Sequence, residues 1–471
     1  MIRPIDEAEL AAQRRDIAAV RSLLDADYAA SGRRRAALIE TYGCQQNEAD
    51  SDRMRGMLTE MGFDLAKDRQ QADLILFNTC AVREHAELKV FGNIGALKAK
   101  KARNKDLILG ITGCMMQQQH RVDEIMAKYP HVDFILGTGT FFRLPGAVLA
   151  ALSGGERQAV VESETSAIPE GLPVKRESGI KAWVTAMYGC DNFCSYCVVP
   201  YTRGREVSRE AAPIVEEVRD LVAQGYRDIT LLGQNVNSYG RGTKEALDFA
   251  DLLARLDEIE GDYWLRFMTS HPKDATPKLF ETMAKSRHIA HQLHLPVQCG
   301  NDRVLHEMNR RYTVEQYRQL VSCARSFMPD LTLSSDIIVG FPGETEAEFE
   351  DTLKLVREME FDSLFTFTFS RRRGTRAYDM AGQLTTEQKK DRLGRLMKTQ
   401  QEFSLRRNEA LLGRTLKLLI EAPGKEQSGL LAGRTEGGKL CYVPGPISLI
   451  GQFVNARVTQ AKTFVLYGEL V

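Results

Sequence analysis

Several features that would assign a protein to a special class are missing from this 471-residue sequence. The first ten residues contain no apolar stretch, which argues against a secretory signal peptide, and no run approaches the roughly 18 apolar residues of a membrane-spanning helix. Lysine plus arginine equals aspartate plus glutamate, at 63 each, so net charge does not indicate a nucleic-acid partner. Nine cysteines are few for a secreted disulfide scaffold of this length. We therefore expect a cytoplasmic protein with no membrane partner, whose cysteines are metal ligands or reduced thiols.

The sequence also lacks internal repeats and low-complexity segments, and its eight histidines show no metal-ligand spacing. With 43% hydrophobic and 27% charged residues, it is typical of a globular protein of about two to four domains. Residues 1–35 are predicted to form a charged helical extension. Residues 36–152 alternate apolar runs with amphipathic helical stretches, which predicts a doubly wound parallel sheet. The polar residues 153–175 are predicted to form a linker.

A second α/β series occupies residues 176–408. Its six βα units are too few for a closed eight-stranded barrel, so we predict an open, partial (β/α)6 barrel. Residues 409–471 instead alternate short β-like runs with glycine and proline, which predicts a small β-barrel. The barrel strands are predicted at 181–187, 228–232, 263–269, 291–297, 332–339 and 363–369, and one of the helical segments between them is predicted near 301–327.

The most informative motif is a set of three cysteines at CxxxCxxC spacing, Cys190, Cys194 and Cys197, here called the barrel cysteines. Cysteine thiolates are the usual ligands of [4Fe–4S] clusters, and three of them leave one iron open to a substrate or cofactor. A structural zinc site would need a fourth Cys or His nearby, and no histidine occurs in the seventy residues that follow. Reduced core thiols, the other alternative, do not cluster at this spacing. The motif therefore predicts an iron–sulfur cluster with one open iron.

Three more cysteines, Cys44, Cys80 and Cys114, each follow a predicted strand of the first domain and are here called the strand-end cysteines. Ligands collect outside the carboxyl ends of parallel strands, so these thiols are expected to converge although they are distant in sequence. They could hold a second cluster with one open iron. Three unrelated buried thiols are the alternative. The remaining cysteines are predicted to be reduced thiols without a metal role: Cys299, Cys323 and Cys441.

Together these motifs resemble the methylthiotransferase family of radical S-adenosylmethionine (SAM) enzymes, from about residue 36 to the end of the chain. That family has an N-terminal domain, a radical SAM barrel and a TRAM domain, which is a small RNA-binding β-barrel. The chain is most similar to the MiaB type, which acts on isopentenyladenosine in tRNA. One departure is Arg376, which stands where the family has proline. The segments that carry the similarity are 41–47, 188–206, 232–239, 295–298, 308–312 and 335–344.

The resemblance implies an enzyme that converts N6-isopentenyladenosine at tRNA position 37, 3′ of the anticodon, to its 2-methylthio derivative. It implies two [4Fe–4S] clusters and SAM as cofactors. The cluster on the barrel cysteines would cleave SAM to a radical that abstracts hydrogen at C2, and an auxiliary cluster on the strand-end cysteines would hold the methylthio group. No side chain beyond the six cysteine ligands is expected to be catalytic. An electron donor of the flavodoxin or ferredoxin type and a sulfur source are implied as further partners.

The resemblance also places SAM at the carboxyl ends of the barrel strands, where barrel enzymes bind ligands. Helix capping is an equally open interpretation of Gln234 and Asn235. Arginines near the barrel mouth are predicted to contact RNA phosphates, although such runs are more often solvated surface. The predicted SAM contacts are Tyr196, Gly233, Gln234, Asn235, Gln298, Ile338, Gly340 and Glu344, and the predicted RNA contacts are Arg203, Arg205, Arg371 and Arg372.

Two alternative functions stay open at this point. The first is a sister methylthiotransferase that acts on threonylcarbamoyladenosine in tRNA or on an aspartate of a ribosomal protein. Those groups carry different residues after the third barrel cysteine and at 232–239. The second is an iron–sulfur RNA-binding protein without catalysis, which would have no reason to leave an open iron in each cluster.

Overall fold

The computed structural model describes residues 3–81, 84–162, 167–168, 170–424 and 429–471. These residues divide into two compact units. The first contains the chain up to residue 177 together with 188–191 and 197–207, and the second contains 178–187, 192–196 and 208–471. No helix within these ranges combines the length and the apolar character that a bilayer crossing requires.

The first unit is built on a six-stranded sheet in the order β3-β2-β4-β5-β6-β7, in which all pairings are parallel. Two further short strands, β1 and β8, pair with each other. The strands are β1 (Arg3–Pro4), β2 (Ala36–Thr41), β3 (Asp64–Leu65), β4 (Leu74–Thr79), β5 (Ile108–Gly113), β6 (Phe134–Leu136), β7 (Gln158–Val160) and β8 (Ala167–Ile168). The helices are α1 (Glu7–Ser31), α2 (Gln45–Glu60), α3 (Glu84–Ala96), α4 (Lys98–Arg103), α5 (Gln119–Lys128), α6 (Leu144–Leu152) and α7 (Val199–Thr202).

Both faces of this sheet are covered, because alternate residues of the central strand enter different cores. Leu74 and Leu76 pack in the core that holds α1, α2 and α6. Ile75 and Phe77 pack in the core that holds α3 and α5. Side chains alternate between the two faces of a strand, so a continuous apolar run indicates a sheet buried on both sides. The predicted doubly wound sheet is confirmed.

Two segments outside the predicted sheet domain also pack on this unit. Helix α1 begins at an Asp6 capping box and buries Ile17, Val20 and Leu24 in the core shared with α2 and α6. Strand β7 lies within the segment predicted as a linker and pairs in parallel with β6 at the edge of the sheet.

The second unit begins with six parallel barrel strands. They form two three-stranded sheets, β13-β12-β9 and β14-β15-β16, which an isolated parallel bridge between Leu265 and Ile289 connects. The six barrel strands are β9 (Lys181–Thr185), β12 (Asp228–Leu232), β13 (Trp264–Phe267), β14 (Gln292–His294), β15 (Thr332–Val339) and β16 (Ser363–Thr368). Two shorter strands, β10 (Met187–Tyr188) and β11 (Val207–Ser208), lie between β9 and β12 along the chain. The helices are α8 (Ala211–Ala223), α9 (Phe249–Asp257), α10 (Pro277–Lys285), α11 (Asp302–Glu307), α12 (Val314–Phe327), α13 (Glu346–Met359) and α14 (Thr386–Glu409).

The single helical segment predicted at 301–327 is wrong, because the structure has two helices, α11 and α12, with a break between them. Asn309 lies in the break with a φ of 57°, a left-handed conformation that asparagine tolerates better than most residues. Its Nδ2 donates to the carbonyl oxygens of Asn192 (3.1 Å) and Phe193 (2.9 Å). The break is therefore fixed by the loop that carries the barrel cysteines.

The C-terminal strands form a closed barrel in the order β17-β18-β19-β21-β20, as predicted. The turn of its β18–β19 hairpin lies against the amino ends of the (β/α)6 barrel strands. Arg266 donates to the carbonyl oxygen of Glu436, and a Cβ on Gly437 would stand 2.0 Å from Oγ1 of Thr332. The strands are β17 (Thr415–Pro423), β18 (Leu430–Thr435), β19 (Leu440–Pro444), β20 (Phe453–Ala461) and β21 (Leu466–Leu470).

Candidate active site

The strand-end cysteines follow three adjacent strands of the first sheet. Cys44 is the residue before α2, which follows β2, Cys80 directly follows β4, and Cys114 directly follows β5. The register aligns these strand ends, because Thr41 pairs with Asn78 and Thr79 pairs with Gly113. The convergence expected from parallel topology is therefore present in the structure.

Two glycines bring the three cysteine loops into contact. A Cβ on Gly43 would lie 2.6 Å from Cβ and 2.9 Å from Sγ of Cys80. A Cβ on Gly113 would lie 2.3 Å from the carbonyl oxygen of Thr79. Both glycines have positive φ, 123° and 98°, which residues with a side chain rarely adopt. Glycine before Cys44 and before Cys114 thus permits the approach of both loops to Cys80.

Two buried polar side chains face these thiols, one from α2 and one from the segment after α7. Asn47 places its Oδ1 3.7 Å from Sγ of Cys44 and 3.9 Å from Sγ of Cys114. Its Nδ2 donates to the carbonyl oxygens of Tyr42 (2.8 Å) and Thr79 (2.9 Å), which fixes the orientation of the amide. Arg203 donates from Nε to Sγ of Cys114 at 3.2 Å.

Burial dominates the electrostatics of this site. It raises the pKa of the Cys114 thiol to about 12, against the field of Arg203, which lowers it. The neighbouring thiols and Asp50 act in the same direction as burial. The charge of Arg203 alone does not offset this burial, so the thiol would ionise on binding iron, whose charge stabilises the thiolate ligands of a cluster.

The residues around the barrel cysteines Cys190 and Cys197, which belong to the first unit, are tightly packed. A Cβ on Gly189 would stand 1.9 Å from the carbonyl oxygen of Arg205, so the residue before Cys190 has to be glycine. Val198, directly after Cys197, packs with Ala81 and Cys114 in one buried apolar cluster. The chain next to one barrel cysteine is therefore in contact with two strand-end loops.

Within the second unit, the middle barrel cysteine, Cys194, also has a buried arginine beside it. Nη1 of Arg310 donates to Sγ of Cys194 at 3.5 Å, and Nη2 donates to the carbonyl oxygen of Pro296 at 2.8 Å. Ser195 donates through its backbone N–H to the carbonyl oxygen of Met308 at 3.0 Å. Arg310 and Met308 both belong to the break between α11 and α12, so this break supports the barrel-cysteine loop.

Three side-chain atoms at adjacent strand ends of the barrel are buried and have no hydrogen-bond partner among the described residues. They are Oδ1 of Asn235 after β12, Oγ of Ser270 after β13, and Oε1 of Gln298 after β14. Gln298 also has a φ of 72°. Buried polar atoms normally have partners, and backbone strain of this kind concentrates at ligand sites. These atoms fit a ligand that carries amino, carboxylate and hydroxyl groups, as SAM does.

The other predicted SAM residues lie on the same strand ends. A Cβ on Gly233 would approach Cγ of Met187 to 2.5 Å, and one on Gly340 would approach Cγ of Lys389 to 2.5 Å. The Glu344 carboxylate accepts from the Gly340 N–H (2.7 Å) and from Arg392 (2.6 Å), so that side chain fixes the loop after β15. Tyr196 and Ile338 pack against the barrel core, and Gln234 directly follows Gly233.

The predicted RNA-contacting arginines differ in exposure. The Arg203 side chain is only 6% exposed and pairs with Asp50, which places it with the strand-end cysteines and away from solvent. The Arg205 side chain is 67% exposed and pairs with Asp191 at 2.7 Å. Arg371 is exposed and stacks on Tyr378 at 4.4 Å, and Arg372 is half-buried.

The loop after β16, where Arg376 replaces proline, is ordered by other contacts. Oγ1 of Thr375 donates to the carbonyl oxygen of Arg372 at 2.7 Å, and Gly374 has a φ of 87°. The N–H of Ala377 donates to the carbonyl oxygen of Ser195 at 2.7 Å. A proline is not needed for this loop to reach the barrel-cysteine loop.

Sequence reasoning missed several residues of the site: Asn47, Asp50, Ser270 and Arg310. Asn47 and Arg310 stand within the segments 41–47 and 308–312 that carry the family resemblance, and this was the signal available for them. Ser270 and Asp50 carry no such signal.

Within the described ranges, no three His, Cys, Asp or Glu side chains surround one point where a single metal ion could bind. The fit to a cluster, whose thiolates attach to different irons, depends instead on the converging strand ends and the arginine donors.

The fold and the two cysteine sites define the class as a radical SAM enzyme with a TRAM barrel. Residues 184–356 match the Radical SAM superfamily, 409–471 match the TRAM domain, and 36–137 match the Uncharacterized protein family UPF0004. Two solved structures share the fold at low identity. The radical S-adenosylmethionine methyltransferase TsrM from Kitasatospora setae has a TM-score of 0.53 and 15% identity over 73% of this chain and 77% of that chain. The cobalamin-dependent S-adenosylmethionine radical enzyme OxsB has a TM-score of 0.50 and 11% identity over 79% and 56%.

Curated relatives narrow the class. A tRNA-2-methylthio-N(6)-dimethylallyladenosine synthase from Clostridium beijerinckii is 47% identical over 94% of this chain and 97% of its own length. The synthase from Alkaliphilus oremlandii is 46% identical over 93% of each chain. The chain belongs to this family, the MiaB-type radical SAM methylthiotransferases. The predicted fold class and the family resemblance are both confirmed.

Proposed function

We propose that this chain converts N6-isopentenyladenosine (dimethylallyladenosine) at position 37 of tRNA to its 2-methylthio derivative. The observation that carries this function is the 47% identity with a named synthase over 94% of the chain, which extends through the first sheet domain, the (β/α)6 barrel and the TRAM barrel. Two [4Fe–4S] clusters and SAM are its cofactors. The target carbon, C2 of adenine, is neither acidic nor electrophilic, so acid–base side chains cannot open its C–H bond and cofactor radical chemistry is required.

We assign the SAM-cleaving cluster to the barrel cysteines and the auxiliary cluster to the strand-end cysteines. When bound, the first cluster would supply the electron that cleaves SAM, and the second would hold the methylthio group for transfer. Burial of Cys80 and Cys114 supports exclusion of water from the auxiliary site. The chain's contribution is then orientation and shielding, with no side chain acting as acid or base.

We assign SAM to the carboxyl ends of the barrel strands. Asn235, Ser270 and Gln298 present the buried polar atoms described above, and the Glu344–Arg392 pair keeps the loop after β15 in place. In this arrangement Asn235 and Gln298 contact SAM through side chains. Tyr196, Gly233, Gln234, Ile338 and Gly340 contribute backbone or packing surface.

tRNA is the partner that the relatives' names and the TRAM domain indicate. We propose that Arg205, Arg371 and Arg372 contact its phosphates, since Arg205 and Arg371 are exposed and guanidinium groups bind phosphate well. An electron donor of the flavodoxin or ferredoxin type, a sulfur source and a cytoplasmic location complete the proposal. The proposed domain limits are 36–152, 176–408 and 409–471, with an extension at 1–35 and a linker at 153–175.

The substrate is tested by comparing tRNA that carries the prenyl group with tRNA that lacks it. Burial of a five-carbon prenyl chain supplies about 2–4 kcal/mol at about 0.8 kcal/mol per CH₂. We therefore expect a preference of some tens- to several hundred-fold for the prenylated tRNA. Reduced enzyme and SAM are incubated with each tRNA, and the methylthio nucleosides are quantified after digestion.

The two alternative functions give different outcomes in the same assay. Equal turnover of both tRNAs, or product only on threonylcarbamoyladenosine, contradicts the proposed substrate while leaving the radical chemistry intact. Absence of both SAM cleavage and methylthio product would support the non-catalytic alternative, whereas cleavage of SAM without any methylthio product on tRNA contradicts methylthio transfer to tRNA. The control is a reaction that contains tRNA and reduced enzyme but no SAM.

A further inference from the structure

Arg203 is a buried cation at the strand-end cysteines rather than a surface arginine. Both its side chain and that of Asp50 are only 6% exposed. Burying a guanidinium group is unfavourable unless its donors and its charge are matched. The partners of Arg203 therefore indicate what it does.

Two nitrogen atoms of the Arg203 guanidinium have defined acceptors within the first unit. Nε donates to Sγ of Cys114 (3.2 Å), and Nη2 donates to Oδ2 of Asp50 (2.9 Å) and to Oδ1 of Asn47 (2.8 Å). Asn47 is itself held by two backbone carbonyl groups, and Asp50 accepts from Gln46 at 3.1 Å. The planar fork of the guanidinium is thus fixed with one edge on a cluster ligand.

The backbone of Arg203 is equally fixed. Its N–H donates to the carbonyl oxygen of Val199 at 2.8 Å, and Oγ1 of Thr138 donates to the carbonyl oxygen of the preceding Thr202 at 2.5 Å. Arg203 follows the barrel cysteine Cys197 across the short helix α7. One rigid segment therefore carries a ligand of the barrel cluster at one end and a donor to an auxiliary-cluster ligand at the other.

The positive charge of Arg203 would offset negative charge at this site. A cluster on three thiolates is an anion, and the Asp50 carboxylate adds a further negative charge beside it. Hydrogen bonds to the sulfurs and nearby charge are among the factors that set the reduction potential of an iron–sulfur cluster. Outer partners of metal ligands also hold those ligands in orientation.

We propose that Arg203 is a positioning residue for the auxiliary cluster, which orients the Cys114 thiolate and supplies the positive charge that stabilises the reduced cluster. This inference rests on the proposed function, in which the strand-end cysteines hold that cluster. It removes Arg203 from the predicted RNA contacts and leaves that role to the exposed Arg205.

The test uses the full chain with the three barrel cysteines replaced by alanine, here called the parent, so that only the auxiliary cluster is observed. Its midpoint potential is measured by a redox titration followed by electron paramagnetic resonance, and iron release to a chelator is timed. The variants are Arg203→Gln, Arg203→Lys and Asp50→Asn. Arg205→Gln is the matched control, because it removes an exposed arginine from the same segment.

We expect Arg203→Gln to lower the midpoint potential and to release iron about 10- to 100-fold faster, because losing an outer partner of a metal ligand lowers metal affinity by about that factor. Arg203→Lys should keep the potential near that of the parent and still release iron faster, because an ammonium group cannot reproduce the fork. Asp50→Asn should raise the potential, because it removes a negative charge. Arg205→Gln should change neither quantity.

The inference is overturned if Arg203→Gln behaves like Arg205→Gln. If Arg203→Gln binds no iron, the Arg203→Lys variant decides: a potential near that of the parent with faster iron release supports the inference, and an unchanged release rate or a lowered potential overturns it. A parent without any cluster would overturn the auxiliary site itself, and the inference with it. A parent with a normal cluster that is insensitive to every variant would overturn only the role of Arg203.

Discussion

Gly113→Ala should disable the auxiliary site while leaving the barrel site intact. Gly113 ends β5 directly before Cys114, with φ 98° and ψ −173°, a region populated almost only by glycine. A Cβ there would lie 2.3 Å from the carbonyl oxygen and 2.5 Å from the nitrogen of Thr79. Both are backbone atoms of the buried central strand β4, so neither can move aside easily.

The magnitude follows from two terms. Holding alanine in this conformation costs about 1–3 kcal/mol, and the overlap with β4 costs about 1–3 kcal/mol more. The chain can relieve this combined strain of about 2–6 kcal/mol by moving the Cys114 turn away from Cys80. That movement separates two of the three thiols. We therefore expect iron to fall from about eight to about four atoms per chain. SAM cleavage should continue and methylthio transfer should be lost.

The assay compares iron content, 5′-deoxyadenosine and methylthio nucleoside in anaerobically reconstituted protein. Gly92→Ala is the control, because Gly92 lies within α3 and a Cβ there meets nothing within 4 Å. That substitution should stabilise the protein by about 0.5–1 kcal/mol and leave all three readouts unchanged. A Gly113→Ala protein with eight irons and normal methylthio transfer would refute the convergence of the strand-end loops.

Three further substitutions test other parts of the site. Cys80→Ala should retain production of 5′-deoxyadenosine and lose the methylthio nucleoside, and loss of both with the barrel cluster intact would contradict the division of labour. Gln298→Gly removes a buried amide, so SAM affinity in equilibrium dialysis should fall about 5- to 15-fold, equivalent to about 1–1.5 kcal/mol. Glycine suits the φ of 72° at this position, so the melting temperature should not fall. Unchanged affinity would exclude Gln298 as a contact. Arg266→Met leaves the buried Asp228 carboxylate, at 2.8 Å, without its cation, and should lower the free energy of unfolding by about 3–5 kcal/mol in thermal unfolding. Lys285→Met is the control, because that side chain is 75% exposed and its loss should change the free energy of unfolding by no more than about 0.5 kcal/mol.

Arg266 also bears on how the TRAM barrel is tested. Besides Asp228, it bonds the carbonyl oxygens of Thr435 and Glu436 in the β18–β19 hairpin. Deleting 409–471 would therefore expose the amino ends of the barrel strands as well as remove the TRAM barrel. Substitutions on the outer face of the TRAM barrel separate these effects, and tRNA affinity should be compared at one salt concentration because phosphate contacts are salt-dependent.

The sequence by itself determined the local features of this protein. The CxxxCxxC spacing is a property of eight consecutive residues, so no knowledge of the fold is needed to expect three thiols on one loop. The alternation of apolar runs with helical stretches similarly determined the parallel sheet, because continuous apolar strands are stable only when both faces are covered. The convergence of Cys44, Cys80 and Cys114 followed from the same topology, in which the carboxyl ends of parallel strands share one edge.

Only the tertiary structure decided what surrounds those thiols. Arg203 reads in the sequence as a surface cation, yet it lies against Cys114 because α7 turns the chain back onto the strand ends. The break at Asn309 is invisible to helical periodicity, since it is fixed by hydrogen bonds to residues more than a hundred positions away. Periodicity and spacing report interactions within a few residues, whereas the partners of a buried charge or of a left-handed residue are set by packing between distant segments.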